Sequence, residues 1–380
     1  MHICFISSEF PKHGYPHGGV GSFIASLGKA LVAKGVEVSV IGLGYDNKAE
    51  AIVVDGIHVY RVSRKKVKGL QWWMNAKAIN QKIKEVHQKQ AIDIIETPEL
   101  GLAFLQKIKG IKYIIRMHGG HHYFAHSEKR PLEQWKAFQE KRSFKKADEC
   151  IAVSDYVGTQ TQQLIPDIKF DFTTIYNSID THKFYQSDID KIKKHSIFFA
   201  GSLVEKKGIR QLVQSLNYLI DKFPDVHLYI AGRDGNMPGT KIPFRPILEA
   251  EINEKIKPHI TFLGVLPHEK VADYIECSEV CCYPSHMEAM PMAWLEVLAM
   301  GKVFVGSKTG PGSEAVIDNK TGLLCNPHNP KDIAEKIKWI FENPEKAKEI
   351  GQQARKSVME KFNIETIVEQ NIEFYKTIIQ

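Results

Sequence analysis

The stretch YPSHMEAMPMAWLE, residues 283–296, joins the end of a strand to the start of a helix. Val280–Tyr283 is short and apolar, as expected for a buried strand. Met292–Met300 fits a helix, and Gly301 follows at the position that favours glycine. Pro291 suits the first helical position, where its missing N–H costs nothing. The stretch therefore predicts one strand–loop–helix unit of an α/β fold.

Two glutamates flank this predicted helix start, Glu288 in the loop and Glu296 about two turns further on. Unpaired N–H groups and a partial positive charge at a helix start favour a phosphate. Carboxylates on either side of that point can accept hydrogen bonds from sugar hydroxyls. The pattern predicts a site for a sugar nucleotide.

The same alternation runs through the whole chain and predicts parallel sheets with helical crossovers. A second series of strands begins at Ser196–Ala200, after the polar stretch Gln186–His195, which fits a linker. Because 380 residues exceed one ordinary core, we expect two doubly wound domains. In the first series, strands are predicted at His2–Ser7, Glu37–Ile41, Ala51–Val62, Ile92–Glu96, Lys112–Met117, Cys150–Val153 and Phe172–Tyr176.

Composition narrows the class of protein. Apolar content of 43% and charged content of 25% are ordinary for a globular protein. No apolar run approaches the roughly 20 residues of a membrane-spanning helix, and the N-terminus does not resemble a signal peptide. Six scattered cysteines without metal-type spacing favour a reducing cytoplasm. The net charge of +7 falls mainly in the first half, but the usual nucleic-acid motifs are absent.

Two loops carry further anion-binding features. Gly18, Gly19 and Gly21 precede a predicted helix. These glycines either let backbone N–H groups approach an anion at the helix start or form a structural turn. Their spacing does not match the G-x-G-x-x-G dinucleotide fingerprint. In the second series, a loop from Gly201 to Gly208 places Lys207 at a helix start, where it can meet a phosphate.

The order of these motifs resembles the retaining glycosyltransferases of family 4. The resemblance covers residues 3–326 and includes Asn177-Ser-Ile-Asp180 and Phe262–Leu266. It implies a GT-B fold, in which two Rossmann-like domains face each other across a cleft. Residues 1–185 would bind the acceptor and residues 194–361 the nucleotide sugar. The helix 362–380 would cross back to the first domain.

The resemblance also implies roles for single residues. Lys207, Glu288 and His118 would be catalytic, and Glu296 would hold the ribose. The donor would be a UDP- or GDP-sugar, with no metal or other cofactor, and the reaction would have no protein nucleophile. The remaining donor-binding positions would be Gly18, Gly19, Gly21, Ser202, Arg233, Gly264, Val265, Leu266, Ala289, Met290, Pro291 and Met292.

One position departs from the family pattern. Family members usually carry Arg where this chain has Ser202, and that Arg neutralises diphosphate charge. Lys207 would then be the main cation, with Arg233 as a candidate helper. Either the leaving group is held more weakly, or another residue compensates.

Two other segments leave alternatives open. His118 matches the cleft histidine of the family, whereas His121, His122 and His126 have spacing that suits either zinc or the polar lining of an acceptor pocket. Arg61–Met74 places cations beside Trp72 and Trp73. That composition suits either peripheral contact with the inner face of a membrane or a solvated loop before a helix whose tryptophans face the core.

The expected function is transfer of a hexose or related sugar to a saccharide or lipid-linked acceptor, in polysaccharide or glycan biosynthesis. Hydrolysis by the two carboxylates is disfavoured, because Glu288 and Glu296 flank a helix start rather than one bond. A sugar-nucleotide epimerase would convert the donor without an acceptor. A non-catalytic homologue, which Ser202 brings into consideration, would bind the donor without turnover.

Overall fold

The computed structural model describes residues 1–15, 17–45 and 48–380, without the side chains of Ile189 and His268. The chain divides into two compact units, Met1–Ser178 with Ile364–Gln380, and Ile179–Asn363. The boundary therefore lies before the predicted linker at 186–195, and the end of that stretch already belongs to a strand that starts at Lys193.

The first unit contains an eight-stranded sheet in the order β3-β4-β2-β1-β5-β6-β7-β8. Every neighbouring pair is parallel except β3–β4. In chain order the elements are β1 His2–Ile6, α1 Gly19–Ala33, β2 Glu37–Leu43, β3 Glu50–Val54, β4 Ile57–Val62, α2 Gln71–Lys89, β5 Ile94–Thr97, β6 Lys112–Met117, α3 His121–Ser127, α4 Gln134–Phe144, β7 Glu149–Ala152, α5 Asp155–Leu164 and β8 Thr173–Thr174.

The second unit contains a six-stranded parallel sheet in the order β11-β10-β9-β12-β13-β14. Its elements are β9 Lys193–Ala200, α6 Ile209–Ser215, β10 His227–Ala231, α7 Phe244–Glu251, β11 Ile260–Gly264, α8 His268–Cys277, β12 Ser278–Tyr283, α9 Met292–Ala299, β13 Phe304–Ser307, α10 Gly312–Ala315, β14 Leu323–Cys325, α11 Pro330–Glu342 and α12 Pro344–Lys361. Central strands buried on both faces explain the apolar runs seen in the sequence.

One predicted strand is wrong. Ala51–Val62 is a hairpin, because the chain turns at Asp55 and Gly56, which have φ of 50° and 80°. Asp-Gly is the usual pair for such a two-residue turn, since both positions need positive φ.

The last helix, α13 Ile364–Ile379, belongs to the first unit and packs against α1. Its Asn371 and Tyr375 are fully buried beside Arg116 of β6. Arg116 donates from Nε to Glu96 Oε1 at 2.6 Å and from Nη2 to Asn371 Oδ1 at 2.5 Å. Tyr375 Oη donates to Glu96 Oε2 at 2.7 Å, so one buried polar network joins two strands to the last helix.

Candidate functional site

The loops of the second unit converge where its strand order reverses. The chain passes from β9 to β10 and β11 on one side, then returns to place β12 on the other side of β9. In open parallel sheets, ligands bind at the carboxyl ends of the strands at such a point. Here the loop after β9, residues 201–208, meets the loop after β12, residues 284–291.

Backbone contacts hold these two loops together. Gly208 has φ of 67°, and a Cβ there would clash with the carbonyl oxygen of Pro284, so the close approach requires glycine. The N–H of His286 donates to the carbonyl oxygen of Lys206 at 2.8 Å. The main chain around Lys207 is therefore fixed against the loop that carries Glu288.

Lys207 and Glu288 form an ion pair across this junction, with 2.5 Å between Nζ and Oε1. Both side chains are half-buried. Burial pushes the pKa of Glu288 upward, but the charges of Lys207 and Lys206 and hydrogen bonds from Lys207 and Ser285 outweigh it, and the pKa lies below its ordinary value. The structure thus brings together two residues that the sequence predicted separately, with Glu288 ionised at neutral pH.

Glu296 lies on α9 in a different environment. Its side chain is buried, 8% exposed, and burial raises its pKa to about 7, against the opposing charge of Lys183. Among the described residues its carboxyl has no hydrogen bond or ion pair. Buried polar groups are normally partnered, so this carboxyl is suited to accept hydrogen bonds from a ligand.

The main chain of Arg233 lies beside Ser202. The N–H of Leu203 donates to the carbonyl oxygen of Arg233 at 2.9 Å, and that of Gly201 donates to Ala231 at 2.9 Å. The Arg233 side chain is exposed and makes no ion pair with any residue that the structure describes. An exposed arginine therefore follows the strand next to the one that precedes Ser202, where the family usually has its Arg.

The other predicted donor-binding residues lie on neighbouring loops. Gly264, with φ of 70°, accepts a hydrogen bond from the N–H of Gly232, which connects the ends of β10 and β11. Val265 is 73% exposed and Leu266 is half-buried. Ala289 and Met290 are buried, and Met292 begins α9. Pro291 caps this helix with an extended backbone, so it precedes the helix rather than occupying the predicted first position.

In the first unit, the glycine loop has a structural reason for its composition. Gly18 is the N-cap of α1, and Cβ atoms at Gly18 and Gly21 would clash with the Glu9 side chain and its carbonyl oxygen. A Cβ at Gly19 would meet open space. Gly18 and Gly21 therefore allow Glu9 to approach the helix start, a contact that the sequence did not predict.

His118 follows β6 and is half-buried, with its ring 4.9 Å from that of Phe23. Burial, and then the charge of Arg116, lower its pKa to about 3. A neutral imidazole can donate one hydrogen bond and accept another.

The histidines after His118 bond within the protein. His122 Nδ1 lies 2.5 Å from Glu140 Oε2, and His121 Nε2 accepts from the N–H of Glu133 at 2.9 Å. Within residues 1–15, 17–45 and 48–380, no group of three or more His, Cys, Asp or Glu could hold a metal ion. The zinc alternative for His121, His122 and His126 has no support in this geometry.

Trp72 and Trp73 are 43% and 49% exposed at the start of α2, so the alternative in which these tryptophans face the core is wrong. Trp72 packs against Phe104 and Trp135, and Trp135 stacks on Phe138, with centroid distances of 4.6–5.7 Å. The sequence did not predict that Trp135 and Phe138 of α4 join this aromatic cluster. No helix in the described part of the chain is long and apolar enough to cross a membrane.

Comparison with known proteins identifies the class. A family model described as glycosyl transferases group 1 matches residues 183–357, and one described as glycosyltransferase family 4 matches residues 17–183. A sucrose-phosphate synthase from Thermosynechococcus elongatus has a similar structure, with a TM-score of 0.84 at 21% identity over 99% of this chain and 98% of that one. The fold is GT-B, and the protein is a glycosyltransferase.

Two further relatives extend over almost the full chain. The N-acetyl-alpha-D-glucosaminyl L-malate synthase of Bacillus anthracis is 25% identical over 96% of both chains. The Anabaena protein HepE, solved with UDP and glucose, has a TM-score of 0.74 at 17% identity over 99% of this chain and 100% of that one. With both halves matched in order by the two models, the chain belongs to glycosyltransferase family 4.

Proposed function

We propose that this enzyme transfers a hexose or related sugar, with retention of configuration, from a UDP- or GDP-sugar to a saccharide or lipid-linked acceptor. The observation that carries the proposal is the Lys207–Glu288 pair at the switch point of the second sheet, on the loop that leads to Glu296. The HepE complex with UDP and glucose supports a nucleotide-sugar donor. The second unit would bind the donor and the first the acceptor, in glycan or polysaccharide biosynthesis.

The proposed roles follow from charge and burial. The unpartnered Glu296 carboxyl accepts hydrogen bonds from the ribose hydroxyls. Glu288 contacts the sugar, and Lys207 and Arg233 stabilise the negative charge that develops on the departing diphosphate. The bond from the anomeric carbon to phosphate oxygen breaks as the acceptor oxygen attacks the same face, and its proton passes to that phosphate oxygen. These protein cations take the place of a metal ion, and His118 supplies a neutral hydrogen-bonding group in the first unit.

The reaction class is tested by incubating the enzyme with UDP- and GDP-sugars and a panel of saccharide and lipid acceptors. Release of nucleoside diphosphate only with an acceptor, and an NMR coupling that shows the donor configuration in the product, are expected. Conversion of the donor alone would indicate an epimerase. Calorimetric donor binding without turnover on any acceptor would indicate a non-catalytic homologue.

Arg233→Ala is expected to lower kcat/KM for the donor by about 10- to 100-fold, because one charge opposite the diphosphate is lost. Adding Ser202→Arg to this variant should restore part of the loss, since it returns a guanidinium to the neighbouring strand. Arg245→Ala, which removes an exposed Arg paired with Glu249, is the control. Equal rates for Arg233→Ala and the wild type would remove Arg233 from the proposed site.

The acceptor side has an apolar cavity of about 490 Å³ at the carboxyl ends of β1, β2 and β5. Its walls include Ile6, Leu43, Leu100 and Phe104, and Trp72 joins it to the exposed rings. Residues 61–89 carry nine Lys and Arg against one Glu, and Arg64 lines the cavity. Apolar walls beside concentrated positive charge favour an amphiphilic acceptor at an anionic membrane surface.

The double variant Trp72→Ala/Trp135→Ala is expected to reduce binding to anionic phospholipid vesicles about 10-fold or more, because exposed aromatic rings anchor proteins at the interface. Co-sedimentation with phosphatidylglycerol-containing and pure phosphatidylcholine vesicles measures it. Tyr218→Ala removes an aromatic that is 57% exposed in the second unit and should change nothing. Wild-type protein that sediments with neither vesicle would exclude the membrane contact.

A further inference from the structure

A second pair of carboxyl groups lies in the first unit, at its own switch point. The chain leaves β1 towards β2 and returns to place β5 on the other side of β1. Glu99 follows β5 by two residues and is 3% exposed. Glu140, on α4, is 0% exposed. Neither residue has a part in the proposed transfer. Fully buried carboxyl groups are rare unless they are paired or belong to a functional site.

Both carboxyls face the loop that carries His118. Burial raises the pKa of Glu99, and the backbone N–H groups of His118 and Gly119, which lie near its carboxyl, oppose this. Glu140 Oε2 accepts from the backbone N–H of His122 at 2.9 Å and from its Nδ1 at 2.5 Å. Residues 118–122 therefore contact two acidic side chains, Glu99 in the loop after β5 and Glu140 on α4.

The two side chains meet at Gly120. A Cβ there would clash with Glu140 Oε1 and would lie 3.0 Å from Glu99 Cγ. Oε1 of Glu99 and Oε1 of Glu140 are both buried without a hydrogen-bond partner in the described chain. Two carboxylates that are buried and close together repel each other, so one of the two carboxyl groups holds a proton.

The surrounding charges indicate which one. Glu140 Oε2 already accepts two hydrogen bonds from His122. Burial, and then the charge of Glu140, raise the pKa of Glu99 to about 8, although backbone N–H groups oppose this. Titratable or charged groups near the pair include Arg116 of β6, His118 after β6, Cys150 of β7, and His121 and His122 of α3.

We propose that Glu99 is a positioning residue whose protonated carboxyl, set against the Glu140 carboxylate across Gly120, fixes the main chain of His118–Gly120 for sugar transfer. Deprotonation places two buried anions side by side and displaces that loop. The inference rests on the proposed function through His118, but the protonation of Glu99 can be observed without any substrate.

Glu99→Gln tests the proposal, since the amide keeps the size of the carboxylic acid and cannot ionise. The kcat/KM of the wild type should fall about tenfold from its plateau by pH 9, as one group with a pKa near 8 loses its proton. Glu99→Gln should keep the neutral rate within about twofold and lose this alkaline decline, whereas Glu99→Ala should lose activity at every pH. Glu149→Gln, an exposed carboxyl of the same unit, should behave as the wild type.

Infrared spectroscopy of the substrate-free protein provides an independent readout. At pH 7 the wild type should show the carbonyl stretch of protonated carboxyl groups, to which Glu296 also contributes. Glu99→Gln should lower the intensity of this band by one carboxyl group, and Glu149→Gln should leave it unchanged. An alkaline decline that persists in Glu99→Gln, or spectra in which this band does not change, would overturn the proposal. If no donor is turned over, the proposed function fails while the infrared comparison still decides the state of Glu99.

Discussion

Replacing Lys207 with Ala is expected to lower kcat about 100- to 1000-fold, the usual cost of removing one group that stabilises transition-state charge. Lys207 Nζ already lies 2.5 Å from Glu288 Oε1, on a loop fixed against residues 284–286. A preorganised cation needs little rearrangement when the diphosphate departs. Rates of nucleoside diphosphate release at saturating donor measure the effect.

The loss of Lys207 has a second component, because it leaves the half-buried Glu288 carboxylate without its main counter-charge. Lys207→Arg keeps the charge and should retain more activity than Lys207→Ala. In the double variant Lys207→Ala/Glu288→Gln, we expect a loss well below the product of the single losses, since the two residues act as a pair. Turnover within about twofold of wild type in Lys207→Ala would show that the leaving group is stabilised elsewhere.

Replacing Glu96 with Ala is expected to lower the free energy of unfolding of the first unit by about 3–5 kcal/mol. Glu96 is the carboxylate partner of Arg116, and both are almost fully buried, with exposed side-chain fractions of 2% and 1%. Without Glu96 the guanidinium keeps its charge in an apolar interior, and Tyr375 Oη loses its acceptor. Breaking one side of a buried pair costs far more than the pair contributes when intact.

Amide hydrogen exchange in β5 and β6 measures this loss in the first unit without contributions from the second. Glu149→Ala, at an exposed strand end in the same unit, should change the opening free energy by about 0.5 kcal/mol or less. If protection in Glu96→Ala equalled that of the wild type, the network would contribute nothing to stability.

The strand–loop–helix unit that carries the candidate site of the second unit was predictable because its signals are local. Glu288, Pro291 and Glu296 lie within nine residues, so the strand–loop–helix unit already fixes their relation. The pairing of Lys207 with Glu288 spans 81 residues and depends on strand order, which periodicity does not reveal. The sequence shows a glycine at position 208, but its positive φ and its close approach to Pro284 appear only in the structure.

The buried network around Arg116 in the first unit could not be predicted from the sequence, because its contacts join residues even further apart in the chain. Arg116 contacts Asn371 across 255 residues, and neither residue type indicates burial by itself. Glu99 and Glu140 lie in segments that read as an ordinary loop and an ordinary amphipathic helix. The hairpin at Asp55-Gly56 differs, since its turn signal, the Asp-Gly pair, is present in the sequence.

Because α13 belongs to the first unit, this unit can be completed only after the second unit has been translated. A ribosome has already made the whole of residues 179–363 before Asn371 and Tyr375 are joined to the chain. Until then Arg116 and Glu96 lack their two partners from the last helix, and the side of α1 that contacts α13 lacks its cover. The half of the enzyme that is translated first is therefore the half that is completed last.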